Sequence, residues 1–326
     1  MPRWLRIWLG PLPDWTQPNH PIVRYELQRA AENLNTRQRL LRAFGLACLI
    51  ALAIVFALLV VSAGLTQPAG ANIPDTLWRV LFAPVFAIQL GALVLSFVLA
   101  SSLVDEERRR QTWDPLRATE QGATLALRAR WLGVMFRLRL LLGLILTARL
   151  IFVAGLLWQL TAHRGAYLDA LLAAVVPEVN LVIGIILLAA ALTAAVLLPF
   201  IHVGMAAALG LIAAAWIRAR GFSGAAQAIF AVLVLAQAAV LLLLMSGFMS
   251  GALPMDRALT WMLHLLYTVF GDWGLLSLHL AESGLIWALI PYSILSGVIA
   301  LAVALLEAAA IDRLLRAAGK RAEASE

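Results

Sequence analysis

The sequence predicts an all-α polytopic membrane protein, and three observations predict it. Of 326 residues, 63% are hydrophobic and only 13% charged, where a soluble domain runs roughly 45–50% apolar and about 25% charged. Apolar runs of about 20 residues, each long enough to cross a bilayer as a helix, recur along the chain. These runs are rich in Leu, Ala, Val and Ile. A membrane-spanning backbone must pair all its own N–H and C=O groups, so it is either helical or a closed barrel. A barrel would show short alternating strands.

Residues 1–43 read as an N-terminal interfacial segment. Trp4, Trp8 and Trp15 stand among Pro11, Pro13 and Pro18, and tryptophan favours the membrane–water interface. A helix is expected from Pro21, with Ile22, Val23, Leu27, Ala30, Ala31 and Leu34 at helical spacing and Arg24, Glu26, Arg29, Arg37, Arg39 and Arg42 on the remaining positions. Such a basic amphipathic helix suits the headgroup plane. The transmembrane domain is then 44–310, with spans expected at Phe44–Leu65, Leu81–Leu103, Leu140–Leu160, within Asn180–Ile217, at Ala225–Phe248 and at Leu285–Ala310. Asn180–Ile217 is long for one perpendicular helix and contains Pro199, so a bend or break is expected there. A polar cytoplasmic loop occupies 104–139, a semi-apolar loop 250–283, and a tail 311–326. The semi-apolar loop mixes Trp261, Tyr267, Phe270 and Trp273 with Asp256, His264, Asp272 and His279, and short helices dipping into the outer leaflet are expected there.

Positive charge orients the chain. Twenty-one of the 25 Lys and Arg residues fall in the N-terminal segment, the 105–139 stretch, the turn at Arg218 and Arg220, and the tail. Arg79, Arg164 and Arg257 are the only ones in the loops opposite. By the positive-inside rule both termini and the long polar loop face the cytoplasm. Arg139 and Arg218 on one side require an even number of crossings between them, which gives six spans.

No nucleotide site is visible. A P-loop places Lys after a Gly-rich turn, and the sole lysine, Lys320, lies in the tail. There is no H-E-x-x-H sequence, and His20, His163, His202, His264 and His279 are dispersed, so neither an enzyme nor a metal centre is expected. Gly221-Phe222-Ser223-Gly224 fits the G-x-S-G pattern of rhomboid-like intramembrane proteases, but beside Arg218 and Arg220 it reads better as a turn in which Ser223 caps the next helix. Lone Cys48 allows no disulfide within the chain. Two charges fall inside spans, Arg149 and Glu307. Intramembrane charge is a functional hypothesis by default. Either the two pair, or Arg149 snorkels to the headgroups and Glu307 sits at the interface beside Arg313. His202, three residues after Pro199, is placed to cap a carbonyl that the proline releases.

The stretch from Asp105 to Thr119 is the richest in potential contacts. Glu106, Glu107 and Arg108 open it, Thr112, Trp113 and Leu116 follow, and Thr119 closes it. Asp114-Pro115 is a helix cap with a first-turn proline. Trp113 and Leu116 are apolar anchors amid charge, shaped to fill a cleft on another protein.

These residues resemble a known family. Asn19-His20-Pro21-Ile22-Val23-Arg24-Tyr25-Glu26-Leu27 is similar to the N-P-hydrophobic-x-x-x-E opening of type-2 ABC transporter permeases. Glu106-Glu107-Arg108 through Gln111-Thr112-Trp113-Asp114-Pro115-Leu116-Arg117-Ala118-Thr119 is similar to that family's E-R-E-x-G-T-x-E-x-L-x-x-T stretch, with Gln111 at the usual glycine. Arg130-Trp131 stands where the family often has Gly-Lys. The resemblance implies an elbow helix carrying Pro21, Arg24 and Glu26, and a coupling helix within 104–139 that contacts an ABC ATPase subunit. It implies a permease subunit of an exporter in the bacterial cytoplasmic (inner) membrane, paired with a second permease subunit. ATP is then bound by the partner and no cofactor by this chain. Lipid is the other expected contact, and nucleic acid is not. The alternative is a non-transporting scaffold or anchor subunit of a larger membrane complex, for which the low polarity of the spans argues. Gly204–Ala208 and Gly247–Gly251 are small-x-x-x-small spacings that permit close helix contact.

Overall fold

The computed structural model describes residues 73–109, 122–161, 168–169, 172–173, 176–216, 222–249, 257–270 and 292–324. The expected first span Phe44–Leu65, the elbow residues Pro21, Arg24 and Glu26, and the loop residues Thr112, Trp113, Leu116 and Thr119 lie outside them. Seven α-helices form among the described residues, with no strand: α1 Ile73–Arg109, α2 Gly122–Arg137, α3 Arg139–Thr161, α4 Leu181–Trp216, α5 Phe222–Met249, α6 Arg257–Phe270 and α7 Ser296–Ala324. Four of them contain stretches long and apolar enough to cross a membrane: Val85–Leu103, Arg139–Trp158, Leu181–Trp216 and Gly224–Leu241. The described part of the chain is therefore all-helical and compatible with an integral membrane protein.

Helix α4 is the centre. It packs against α7 along one side and α1 along another, while α2 and α3 close on the same core. Small residues make this possible: Gly204, Ala206, Ala207, Ala208 and Gly210 are all buried. At Gly210 a Cβ would lie 2.6 Å from the Phe97 carbonyl oxygen of α1, and at Gly297 of α7 it would lie 2.7 Å from the Ala191 Cα. The helices thus cross backbone to backbone, as small residues allow in lipid. Leu127, Val134, Leu138, Ile145, Val203, Leu211 and Leu315 fill the shared core.

Local chemistry fixes the helix ends and the hydroxyls. Asn180 caps α4, its Oδ1 accepting the Val182 N–H at 3.0 Å, which satisfies a first-turn donor. Within α1, Ser96 and Ser101 donate to the carbonyls of Leu93 and Val98 at 2.8 and 3.1 Å; Thr147 of α3 donates to Gly143 O at 2.9 Å. Such back-bonding satisfies a hydroxyl donor inside an apolar span, and Ser101 Oγ also accepts from Gln227 Nε2 of α5 at 2.8 Å.

Three findings refine the sequence reading. Helix α4 runs without interruption through Pro199, so Asn180–Ile217 holds one helix and not two; proline is tolerated where neighbouring helices surround it. The 104–139 stretch is not an extended loop where it is described, because α1 continues to Arg109 and α2 occupies Gly122–Arg137. A single residue, Leu138, separates α2 from α3, and the bonds Leu138 N–H to Val134 O at 3.0 Å and Leu142 N–H to Leu138 O at 2.9 Å bridge it. The 311–326 tail is helical to Ala324 as part of α7.

Candidate functional site

The expected coupling residues straddle the edge of what is described. Glu106, Glu107 and Arg108 lie in the last turns of α1, which emerges unbroken from Val85–Leu103. On the far side of residues 110–121, α2 enters the core under strong restraint. Arg128 pairs with Asp312 of α7, and Asp312 also meets Arg316 one turn on, at 2.5 Å. The next basic residue, Arg130, is 1% exposed. The Trp131 indole Nε1–H donates to the Gly204 carbonyl of α4 at 2.8 Å, its ring lying against Gly204 and beside Ile311. At Gly319 a Cβ would sit 2.7 Å from the Thr124 Cα, so α2 and the end of α7 touch closely. The segment expected to receive a partner is flanked by two helices, and the second is pinned to α4 and α7 by charge, indole and glycine contacts.

The two intramembrane charges do not pair with each other. Arg149 is buried and donates from Nη2 to Gln89 Oε1 of α1 at 2.7 Å. Snorkelling to headgroups is thereby corrected: a polar side chain on the neighbouring helix receives the guanidinium inside the bundle. Glu307 faces His202 of α4, Oε2 to Nε2 at 3.4 Å, rather than Arg313. His202 thus links α4 to α7 one turn beyond Pro199. Closer to the start of α7, His264 Nε2 lies 3.0 Å from Ser296 Oγ, and Thr268 donates to the His264 carbonyl at 2.7 Å. This buried trio docks α6 on α7. Ser223 falls in the first turn of α5.

Sequence reading flagged Arg149, Glu307 and His202, but not that the last two meet, nor Gln89 and Arg128 as the partners of Arg149 and Asp312. Gln89 is a lone amide in an apolar run and Arg128 one arginine among many; no local spacing marks either. Gly204–Ala208 serves packing within this chain, since both residues are buried among α2, α4 and α7. Gly247 lies in α5, and Gly251 is outside the described residues. Among the described residues, no group of three or more His, Cys, Asp or Glu could hold a metal ion. No family model matches the chain, no curated protein is similar to it in sequence, and no solved structure is similar to it in fold.

Proposed function

We propose that this chain is the membrane-spanning permease subunit of an ABC exporter, driven by a separate ATPase that docks on the segment after α1. One observation carries the reading. Residues 110–121 are flanked by two helices that both pack on α4: α1, which continues from its apolar stretch to Arg109, and α2, fixed through Trp131–Gly204 and Arg128–Asp312. A displacement imposed there reaches the central helix through rigid elements rather than being absorbed by slack chain. The motif resemblance at Glu106–Thr119 supplies the kind of partner, an ATPase, with ATP on that partner and a second permease subunit completing the assembly. In this reading both termini face the cytoplasm and six spans cross the membrane.

The test is affinity purification in mild detergent, followed by identification of what copurifies. An ATP-hydrolysing subunit whose activity responds to this chain supports the reading. A stable complex of other membrane subunits with no ATPase favours the scaffold alternative and overturns the permease.

A further inference from the structure

Helix α7 presents one continuous exposed face. Along it Val298, Leu305 and Ala309 are succeeded by Arg313, Arg316 and Lys320, spaced by three, four or seven residues and therefore on one side of the helix. The apolar part is strongly exposed, Leu305 at 60%. The opposite side is buried in the core through Ile311, Leu315 and Ala318, so the cations cannot turn inward. Asp312, the acid one turn before Arg316, is engaged by Arg128 and Arg316. Among the side chains described up to Lys320, Arg313 and Lys320 have no ion-pair partner.

We infer that Arg313, Arg316 and Lys320 form a docking surface for anionic phospholipid headgroups. An exposed helix face that changes in line from apolar to cationic matches a leaflet, whose acyl chains give way to phosphates. An acidic protein surface would match the cations but not the apolar strip leading into them. The surface stands apart from the transport reading, because any integral membrane chain with this helix would possess it. Each cation near an anionic membrane surface is worth about fivefold in binding, and the attraction is screened by salt.

The experiment uses the full chain in neutral detergent, titrated with phosphatidylglycerol or with phosphatidylcholine while the melting temperature is read. Phosphatidylglycerol should raise it and phosphatidylcholine should not. The variant Arg313→Gln/Lys320→Gln, which keeps Arg316 and its Asp312 contact, should melt as wild type without lipid. It should need roughly thirtyfold more phosphatidylglycerol for the same rise, while Arg313→Lys should titrate as wild type. An equal response to the two lipids, or an unchanged phosphatidylglycerol midpoint in the double variant, overturns the inference. Should the double variant fail to fold, the wild-type chain decides alone: no preference for phosphatidylglycerol, or a preference unaffected by 0.5 M salt (about a 4 Å screening length), overturns it too.

Discussion

The Arg149 guanidinium of α3 donates to the Gln89 amide oxygen of α1 at 2.7 Å, both side chains buried among apolar helices. A charge inside the bundle is held by a neutral amide 60 positions away. Removing an acceptor from a buried donor costs about 1–3 kcal/mol, while polar contacts between membrane helices average about 0.6 and reach about 1.7 kcal/mol. Gln89→Leu should therefore lower stability by about 1–2 kcal/mol in a detergent unfolding titration, with Gln89→Glu retaining more than Gln89→Leu. A leucine variant as stable as wild type would show that this bond contributes nothing.

A second prediction contrasts glycines. Gly297→Ala would drive a methyl to within 2.7 Å of the Ala191 Cα, whereas a Cβ at Gly91 meets nothing within 4 Å. Overpacking costs about 1–3 kcal/mol, and replacing a mid-helix glycine by alanine gains about 0.5–1 kcal/mol. The two substitutions should thus move the melting temperature in opposite directions. Matching shifts would mean that α4 and α7 do not cross as closely as described.

The Asp312 carboxylate is contested by two arginines, and their losses should differ. Arg316 is the more exposed, 53% against 22% for Arg128, and reaches Asp312 along its own helix. An i,i+4 pair on a helix is worth about 0.2–0.5 kcal/mol, whereas Arg128 ties α2 to α7. Arg128→Ala should destabilise by about 1 kcal/mol, and Arg316→Ala by less. The reverse ranking, in thermal unfolding of the two variants, would count against a clamp at this junction.

How far this was readable in sequence differs by element. The third span was expected at Leu140–Leu160 and α3 runs Arg139–Thr161; α5, expected from Ala225 to Phe248, runs Phe222–Met249. Both ends were legible because apolar runs stop there against Arg, Gly or loop residues. Hydropathy marked the wrong boundary at α1 and α7, which continue to Arg109 and Ala324. A helix does not end where its surroundings turn polar, and Glu, Arg, Lys and Ala propagate it well. Helix α2 is hard to read from sequence because three arginines dilute its pattern of Leu125, Leu127, Leu132, Val134 and Met135. The site was half legible: an arginine or glutamate in an apolar run announces itself, but Gln89 and His202 come opposite them only through the packing of α1 on α3 and of α4 on α7.

The coupling reading makes its own prediction. Loss of a central aromatic anchor commonly costs about 2 kcal/mol or more, near thirtyfold in affinity. Trp113→Ala should weaken ATPase copurification and uncouple transport while leaving membrane insertion intact, and Arg109→Glu should do less, since rim charges act mostly on association rate. Full ATPase binding and function in Trp113→Ala and Leu116→Ala together would remove the residue-level support for docking there.

Topology is checked with single cysteines at Glu107, Asp272 and Glu323 in a Cys48→Ala background. Impermeant thiol reagent added to intact cells should label position 272 alone. Labelling at 323 would contradict six crossings with both termini inside.

The pairing of Arg128 with Asp312 spans 184 positions, and synthesis is directional. At about 5–20 residues per second, Asp312 emerges roughly 9–37 s after Arg128. Throughout that interval α2 exists without its carboxylate, and α4, once made, stands without the α7 face that later covers it. Helix α7 is therefore made after the helices it locks, and a ribosome halted before Asp312 leaves a nascent bundle whose central surface is still open to lipid and to quality-control proteases.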